Sequence, residues 1–354
     1  MVRADGRQVA LFETEDGVRA CDNRCPHEGF PPSEGSLSDG CLLTCNWHNW
    51  KFDLTTGANQ YGGDKLRVYP VAIRGEDIWV DTSAPAFAEL YAQVMQNLRE
   101  AFLDHNYDRI ACEIARLRLI GGDPMDAARA AIDWSWTKLE FGWTHAYAGL
   151  ADWLVLCDEN SHDEETQLVS LVEALGHAAF DSLREADYPF PTDVIPFSDA
   201  GFLKAIEHED ECAAIGMIRG ALEAGFTFAD LEEALSRAAL AHYNAFGHSF
   251  IYVTKARTLI ARLGDTIAEP PLLSLVRQFV FAAREDKIPE FRRYHDELSR
   301  WGDSAQAAGS EPLPGADAWV GIGINKALAL TRAHAAQPRK RCISGCSRRM
   351  PATC

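Results

Sequence analysis

The stretch from Cys21 to Leu54, CDNRCPHEGFPPSEGSLSDGCLLTCNWHNWKFDL, constrains this chain more than any other. It contains two short pairs of potential metal ligands, Cys25-Pro26-His27 and Cys45-Asn46-Trp47-His48, with 17 residues between them. Two thiolates and two imidazoles can make a tetrahedral zinc set. Zinc fingers, however, keep their cysteines together, roughly two to four residues apart, and their histidines likewise. Here each pair mixes one cysteine with one histidine, and that mixing sets the pattern apart.

The spacing resembles the signature of the Rieske [2Fe–2S] domain. The flanks extend the likeness: Trp50, Phe52-Asp53-Leu54, Thr56-Gly57, Leu66, Tyr69-Pro70-Val71 and Ile78-Trp79-Val80 follow the family's C-P-W-H-G-W-x-F-D, T-G, Y-P-V and V-W-V pattern. The resemblance covers about residues 1 to 82. It implies that Cys25 and Cys45 hold one iron and that His27 and His48 hold the other. Thiolates stabilise ferric iron. Neutral imidazoles remove negative charge near the second iron and make it the easier one to reduce. Two positions depart from the family, Asn46 for proline and Asn49 for glycine. Asparagine is the non-glycine residue that best tolerates left-handed backbone, so the second change preserves the turn. High-potential members carry one extra cysteine in each ligand loop. Asn46 and Glu28-Gly29-Phe30 supply none, and Cys21 and Cys41 lie outside the loop tips. The resemblance is therefore to the ferredoxin and oxygenase type. It implies a potential toward the low end of a range of about −150 to +300 mV.

A length of 354 residues favours two domains. Acidic residues outnumber basic ones 52 to 34, for a net charge near −18. Nucleic acid and anionic membrane surfaces both need a basic face, so neither is an expected partner. The same balance suits docking against a basic patch on a redox partner. The ten cysteines are irregularly spaced and give no disulfide framework, which implies a reducing compartment. Cys112, Cys157 and Cys212 fall in helical stretches and read as small buried residues. The start, Met1-Val2-Arg3-Ala4-Asp5-Gly6, has no apolar signal region. No run reaches about 18 apolar residues. A cytoplasmic protein is expected.

The expected fold class is α+β multidomain, a small all-β Rieske domain followed by a large all-α helical domain. Its boundaries are 1–82, a linker at 83–86, a helical domain at 87–335 and a disordered tail at 336–354. Alternation places strands at Val9–Phe12, Val18–Ala20, Leu42–Thr44, Lys51–Asp53, Arg67–Ile73 and Asp77–Asp81, with an Asp16-Gly17 hairpin turn. The family has one further strand before these, so either the start is truncated or that strand is missing, leaving an edge for the second domain to cover. Helical periodicity predicts helices at 87–105, 107–120, 124–139, 141–157, 164–185, 200–224, 228–240, 241–264, 270–283, 287–300 and 316–335. Asp123-Pro124 and Thr227 with Asp230 read as helix starts, and Gly264 as a helix stop. The basic tail carries Cys342 and Cys346 and shows no periodicity.

Rieske oxygenases carry a mononuclear iron held by a D-x2-H-x4–5-H run in a mixed domain. That run is missing here, and Asp158-Glu159-Asn160-Ser161-His162 comes nearest. A ferritin-like di-iron bundle needs two E-x-x-H pairs, and only Glu159 with His162 fits. Gly321-Ile322-Gly323 follows no strand and opens no dinucleotide site, so electrons come from a separate reductase. Several histidines fall inside the expected helices. Projected at about 100° per residue, His242 lies on the apolar stripe with Leu231, Leu235, Val253 and Ile260, and His248 points elsewhere. His177 shares a face with Glu173, Ser170 and Asp181, and His145 with Asp152. His145, His177, His242 and His248 are the catalytic candidates of the helical domain, and a second metal there is one reading of them. Gly176-His177-Ala178-Ala179 and Gly247-His248-Ser249-Phe250-Ile251 resemble short phrases of questin-oxidase-like monooxygenases; no residue roles follow from so short a likeness. The expected function is a [2Fe–2S] oxidoreductase component. It passes single electrons from an external reductase to a site in the helical domain that oxidises a small organic substrate. The alternative is an electron carrier whose helical domain only docks partners.

Overall fold

The computed structural model describes residues 1–61 and 63–307. The Cys342–Cys346 pair, the helix expected at 316–335 and the tail at 336–354 lie outside the described residues. Met1–Phe291 form one compact unit, and Arg292 begins a second.

The β part holds nine described strands: β1 (Val2–Ala4), β2 (Arg7–Thr14), β3 (Gly17–Asp22), β4 (Ser36–Ser38), β5 (Leu42–Thr44), β6 (Lys51–Asp53), β7 (Val68–Tyr69), β8 (Val71–Arg74) and β9 (Asp77–Val80). All pairings are antiparallel, in three sheets ordered β1-β2-β3-β7, β4-β5-β6 and β8-β9. β2 and β3 pair from Val9↔Asp22 to Thr14↔Gly17 around the expected Asp16-Gly17 turn, where Gly17 takes φ 106°. The single strand expected over Arg67–Ile73 is two. Pro70 has no N–H for a ladder, so the chain leaves β3 after Tyr69 and pairs with β9 from Val71. β4 had no alternating signal because its three residues carry only one apolar side chain, Leu37. A compact core of Ala10, Cys21, Leu43, Phe52, Leu54 and Leu66 joins the first two sheets, and Val71 and Val80 of the third pack on Val9, Ala20 and Tyr69.

Eleven α-helices follow among the described residues: α1 (Phe87–Leu103), α2 (Tyr107–Leu119), α3 (Met125–Ser135), α4 (His145–Glu159), α5 (Glu164–Ser182), α6 (Asp199–Glu207), α7 (Glu211–Glu223), α8 (Phe228–Ala241), α9 (His248–Leu263), α10 (Glu269–Phe281) and α11 (Arg293–Ala307). One continuous apolar core runs through α1 to α10. Leu150, Leu154, Leu171 and Leu175, where α4 meets α5, are all nearly fully buried. Each contributes about 2 kcal/mol by leaving water. Asp123 accepts from the Met125 N–H ahead of α3, Thr227 and Asp230 form a capping box on α8, and Gly264 closes α9 at φ 96°. No helix of the described residues is long and apolar enough to cross a membrane.

Two long expected helices are broken. The run 200–224 stops at Glu207, because Glu209 takes φ 57° and the Asp210 side chain caps α7 by accepting from the Ala213 N–H. The run 241–264 begins only at His248. His242 is extended, and Ala245, Phe246 and Gly247 take φ values of 48°, 54° and 87°. Left-handed backbone costs about 1–2 kcal/mol at each non-glycine residue, so periodicity alone does not show this break. Asn244 bridges to Arg284, and the Ala245 N–H donates to the Ala283 carbonyl at 2.8 Å, which holds the strained run in place. Pro289 interrupts the helix expected from residue 287, and α11 starts at Arg293.

Candidate metal centre

The two ligand loops have the same backbone. Cys25 N–H donates to the Phe30 carbonyl at 2.9 Å, and Gly29 N–H donates to the Cys25 carbonyl at 2.8 Å. Twenty residues later, Cys45 N–H donates to the Trp50 carbonyl at 2.8 Å, and Asn49 N–H to the Cys45 carbonyl at 2.9 Å. Each loop turns on a left-handed residue, Gly29 at φ 80° and Asn49 at φ 58°. Asparagine therefore fills the glycine position in the conformation the sequence suggested. Asn46 uses its amide to donate to the Glu34 carbonyl and ties the second loop to the segment that follows the first. The second loop joins β5 to β6, whose register Thr44↔Lys51 closes its base.

The donors separate into an inner and an outer pair. Cys25 and Cys45 are 3% and 2% exposed and belong to the same core as Phe52 and Leu54. His27 and His48 are exposed, and their Nδ1 atoms face each other at 3.1 Å. Burial raises the pKa of the Cys25 thiol, and its neighbour Cys45 adds to this. The backbone N–H groups of His27 and Glu28 point at its sulfur and pull the other way, as they would for a bound thiolate. Cys21, in β3, contrasts with it: burial pushes its thiol up to about 12, with Asp22 adding to the rise. It stays a core side chain. Two buried sulfurs and two facing imidazole nitrogens fit a cluster with one iron on each side.

Aromatic rings brace the outer pair across the loops. Trp50, which ends the second loop, stacks on His27 of the first, with centroids 4.4 Å apart and planes 16° apart. Phe30, which ends the first loop, lies 5.9 Å from the His48 ring and stacks on Trp47 at 3.9 Å. Glu28 places a carboxylate 3.6 Å from His48 Nε2. Beyond the imidazoles lies a cleft of about 900 Å3, bounded on its far side by the turn between α1 and α2. Arg116 of α2 holds Asp64 through both nitrogens of its fork, 2.9 Å for the longer bond, and also binds Glu113. Burial raises the pKa of Glu113, which is fully enclosed, to about 7, while Arg116 opposes the rise.

The four helical candidates fall in three separate places. His145 and His248 begin α4 and α9, and their rings meet edge to face at 4.9 Å beside Tyr252. His177 is exposed on α5, with its Nε2 3.4 Å from Glu173. His242 caps α8 and is not part of the apolar stripe expected of it. Its Nδ1 lies 2.9 Å from Asp286 and its Nε2 2.8 Å from Glu207. The imidazole holds the Glu207 carboxyl below its usual range. Sequence reasoning missed Asp286, because it comes from a short 3-10 turn 44 residues away. Of the three cysteines expected to be buried, only Cys157 is; Cys112 and Cys212 lie on outward faces of α2 and α7. A small side chain at helical spacing suits either face.

Comparison with known proteins bears on the first 100 residues or so. A family model for the Rieske [2Fe–2S] domain matches residues 1–70. The biphenyl dioxygenase ferredoxin subunit of a Pseudomonas strain is 34% identical over 87 residues, which are 24% of this chain and 80% of that protein. A 4beta-methylsterol monooxygenase of Methylococcus capsulatus is 34% identical over 100 residues, 25% of this chain and 27% of that enzyme. The chain thus spans about a quarter of the monooxygenase. Among solved structures, the ferredoxin of carbazole 1,9a-dioxygenase from Nocardioides aromaticivorans is 27% identical, with a TM-score of 0.22, over 23% of this chain and 82% of that one. With a family model over residues 1–70 and its sequence matched over most of a ferredoxin's length, the chain belongs, through its N-terminal domain, to the Rieske [2Fe–2S] family.

Proposed function

We propose that Cys25 and Cys45 hold one iron of the [2Fe–2S] cluster and that His27 and His48 hold the other. We also propose that the chain takes single electrons from an external reductase and passes them to an oxidation site on its helical side. The observation that carries this reading is the pair of imidazoles whose nitrogens converge at the protein surface and border a cleft against α1 and α2. When bound, the cluster supplies a one-electron store. The chain's own residues do the rest. Cys25 and Cys45 keep the inner iron out of water. His27 and His48 provide a short conducting edge. Trp50 stacks on His27 and Phe30 lies edge-on to His48, and these contacts would hold the two perpendicular rings in place. Domain limits of 1–82 and 87 onward, with a linker at 83–86, agree with the last strand ending at Val80 and α1 starting at Phe87. Within the helical part, His242 between Glu207 and Asp286 has the most developed polar surroundings of the four candidates.

Iron analysis and electron paramagnetic resonance of dithionite-reduced protein test the first statement. Two irons per chain and a Rieske-type signal are expected, and a colourless protein with no signal overturns it. Reductase-driven oxygen uptake with a small organic substrate tests the second. A carrier role is the other reading, favoured by the match to 80% of a ferredoxin subunit. Cleavage between Ser83 and Ala86 separates the two. A carrier keeps electron transfer to a generic acceptor, whereas an oxidising enzyme loses turnover.

A further inference from the structure

We propose that the cleft beside His27 and His48 is a binding site for a small aromatic cation. This deepens the reading above and rests on it for the place of the cluster, though not for the binding itself. The cleft holds about 900 Å3, within the usual range of about 300–1,000 Å3 for small-molecule sites. Its inner wall is the imidazole pair with Trp50, and Tyr61 stands at its side with 68% of its surface exposed. The Trp50 and Tyr61 rings offer faces to a flat or cationic ligand.

The opposite wall sets the charge. Glu100 and Arg109 neutralise each other at 3.0 Å, and Asp64 is taken by Arg116. Asp104 and Asp108 also line the cleft, and neither has an ion-pair partner among the described residues. Asp108 lies in the first turn of α2, where an acid stabilises the helix. Asp104 is the C-cap of α1, where the helix already presents the negative end of its dipole. A carboxylate there costs stability. Helix formation does not explain it, whereas a cation in the cleft would. A ligand small enough to enter reaches the rings directly.

Benzyl viologen in its oxidised, dicationic form is a suitable probe, titrated calorimetrically into the cluster-loaded full chain at low salt. One saturable site is expected. The double variant D104N/D108N should bind at least tenfold more weakly. E76Q/D77N, which removes the same charge from the exposed β8–β9 turn, should bind within twofold of the parent. Neutral 4,4′-bipyridine should bind at least tenfold more weakly than the viologen. The proposal is overturned if no saturable binding occurs, if both double variants weaken binding equally, or if the neutral analogue binds as well. Iron content and the reduced-state signal are measured on the same samples. A normal cluster without viologen binding sinks this inference alone, and a missing cluster sinks the earlier reading.

Discussion

The outer edge of the Rieske domain and the His242 cluster both gather histidines with acidic neighbours, yet they are built on opposite plans. At His27 and His48 the two Nδ1 atoms face each other at 3.1 Å, a contact that a single proton on one of the two nitrogens satisfies. At His242 both ring nitrogens already meet carboxylates, Asp286 at 2.9 Å and Glu207 at 2.8 Å. In the first, an electron-poor centre would have only that one proton to displace. In the second, both nitrogens of the imidazole are engaged in a polar network of the kind that holds helices in register. Proximity of ligand-type residues therefore says less than whether their donor atoms are already spoken for.

The largest test of this contrast is Cys45→Ser. Loss of the iron and of the reduced-state signal is expected, with the helical circular dichroism retained. If the helices melt as well, the two regions are not independent in folding. Next in size is Glu113→Gln. In the native state the acid is raised from 4.5 to about 7, so the folded protein binds its proton more tightly than the unfolded chain does. Its contribution is complete below pH 4.5 and is lost as pH rises through 7, up to about 3 kcal/mol. The Gln variant should flatten that part of a urea-midpoint profile against pH, and an unchanged slope would mean that Glu113 stays ionised. Asp286→Asn weakens the charged partner of His242 and should lower helical stability by about 2 kcal/mol without changing iron content. A loss of iron would erase the contrast drawn here. The smallest effect is expected at Asn49. Replacement by alanine in the left-handed turn should cost about 1 kcal/mol, and glycine should be neutral, both read from the midpoint of thermal unfolding of the loaded protein.

Legibility in the sequence followed the same divide. The Rieske domain was readable because its two Cys–His loops put particular residues at close spacing, and Asn49 was readable because few residues accept φ 58°. Strand and helix identities followed from periodicity. The breaks at Glu209 and at Ala245–Gly247 were not readable, because each depends on contacts from afar, such as the Ala283 carbonyl that holds Ala245. The helix faces assigned to His242 and His248 failed for a related reason. A helical wheel places a residue on a face only if the helix continues, and His145, His242 and His248 all sit where a helix starts or stops. The cleft, finally, is made by segments about 40 residues apart, and no local pattern announces it.

The exchange of rings between the ligand loops has a mechanical consequence. Trp50 leans on His27, and Phe30 sits beside His48, so each loop carries the bracket for its neighbour's imidazole. Neither can be nudged alone. A visiting molecule that presses one tip displaces the other, and the pair acts as a single clasp with one closed setting. A clasp of that kind keeps the spacing of the two nitrogens constant from one redox encounter to the next.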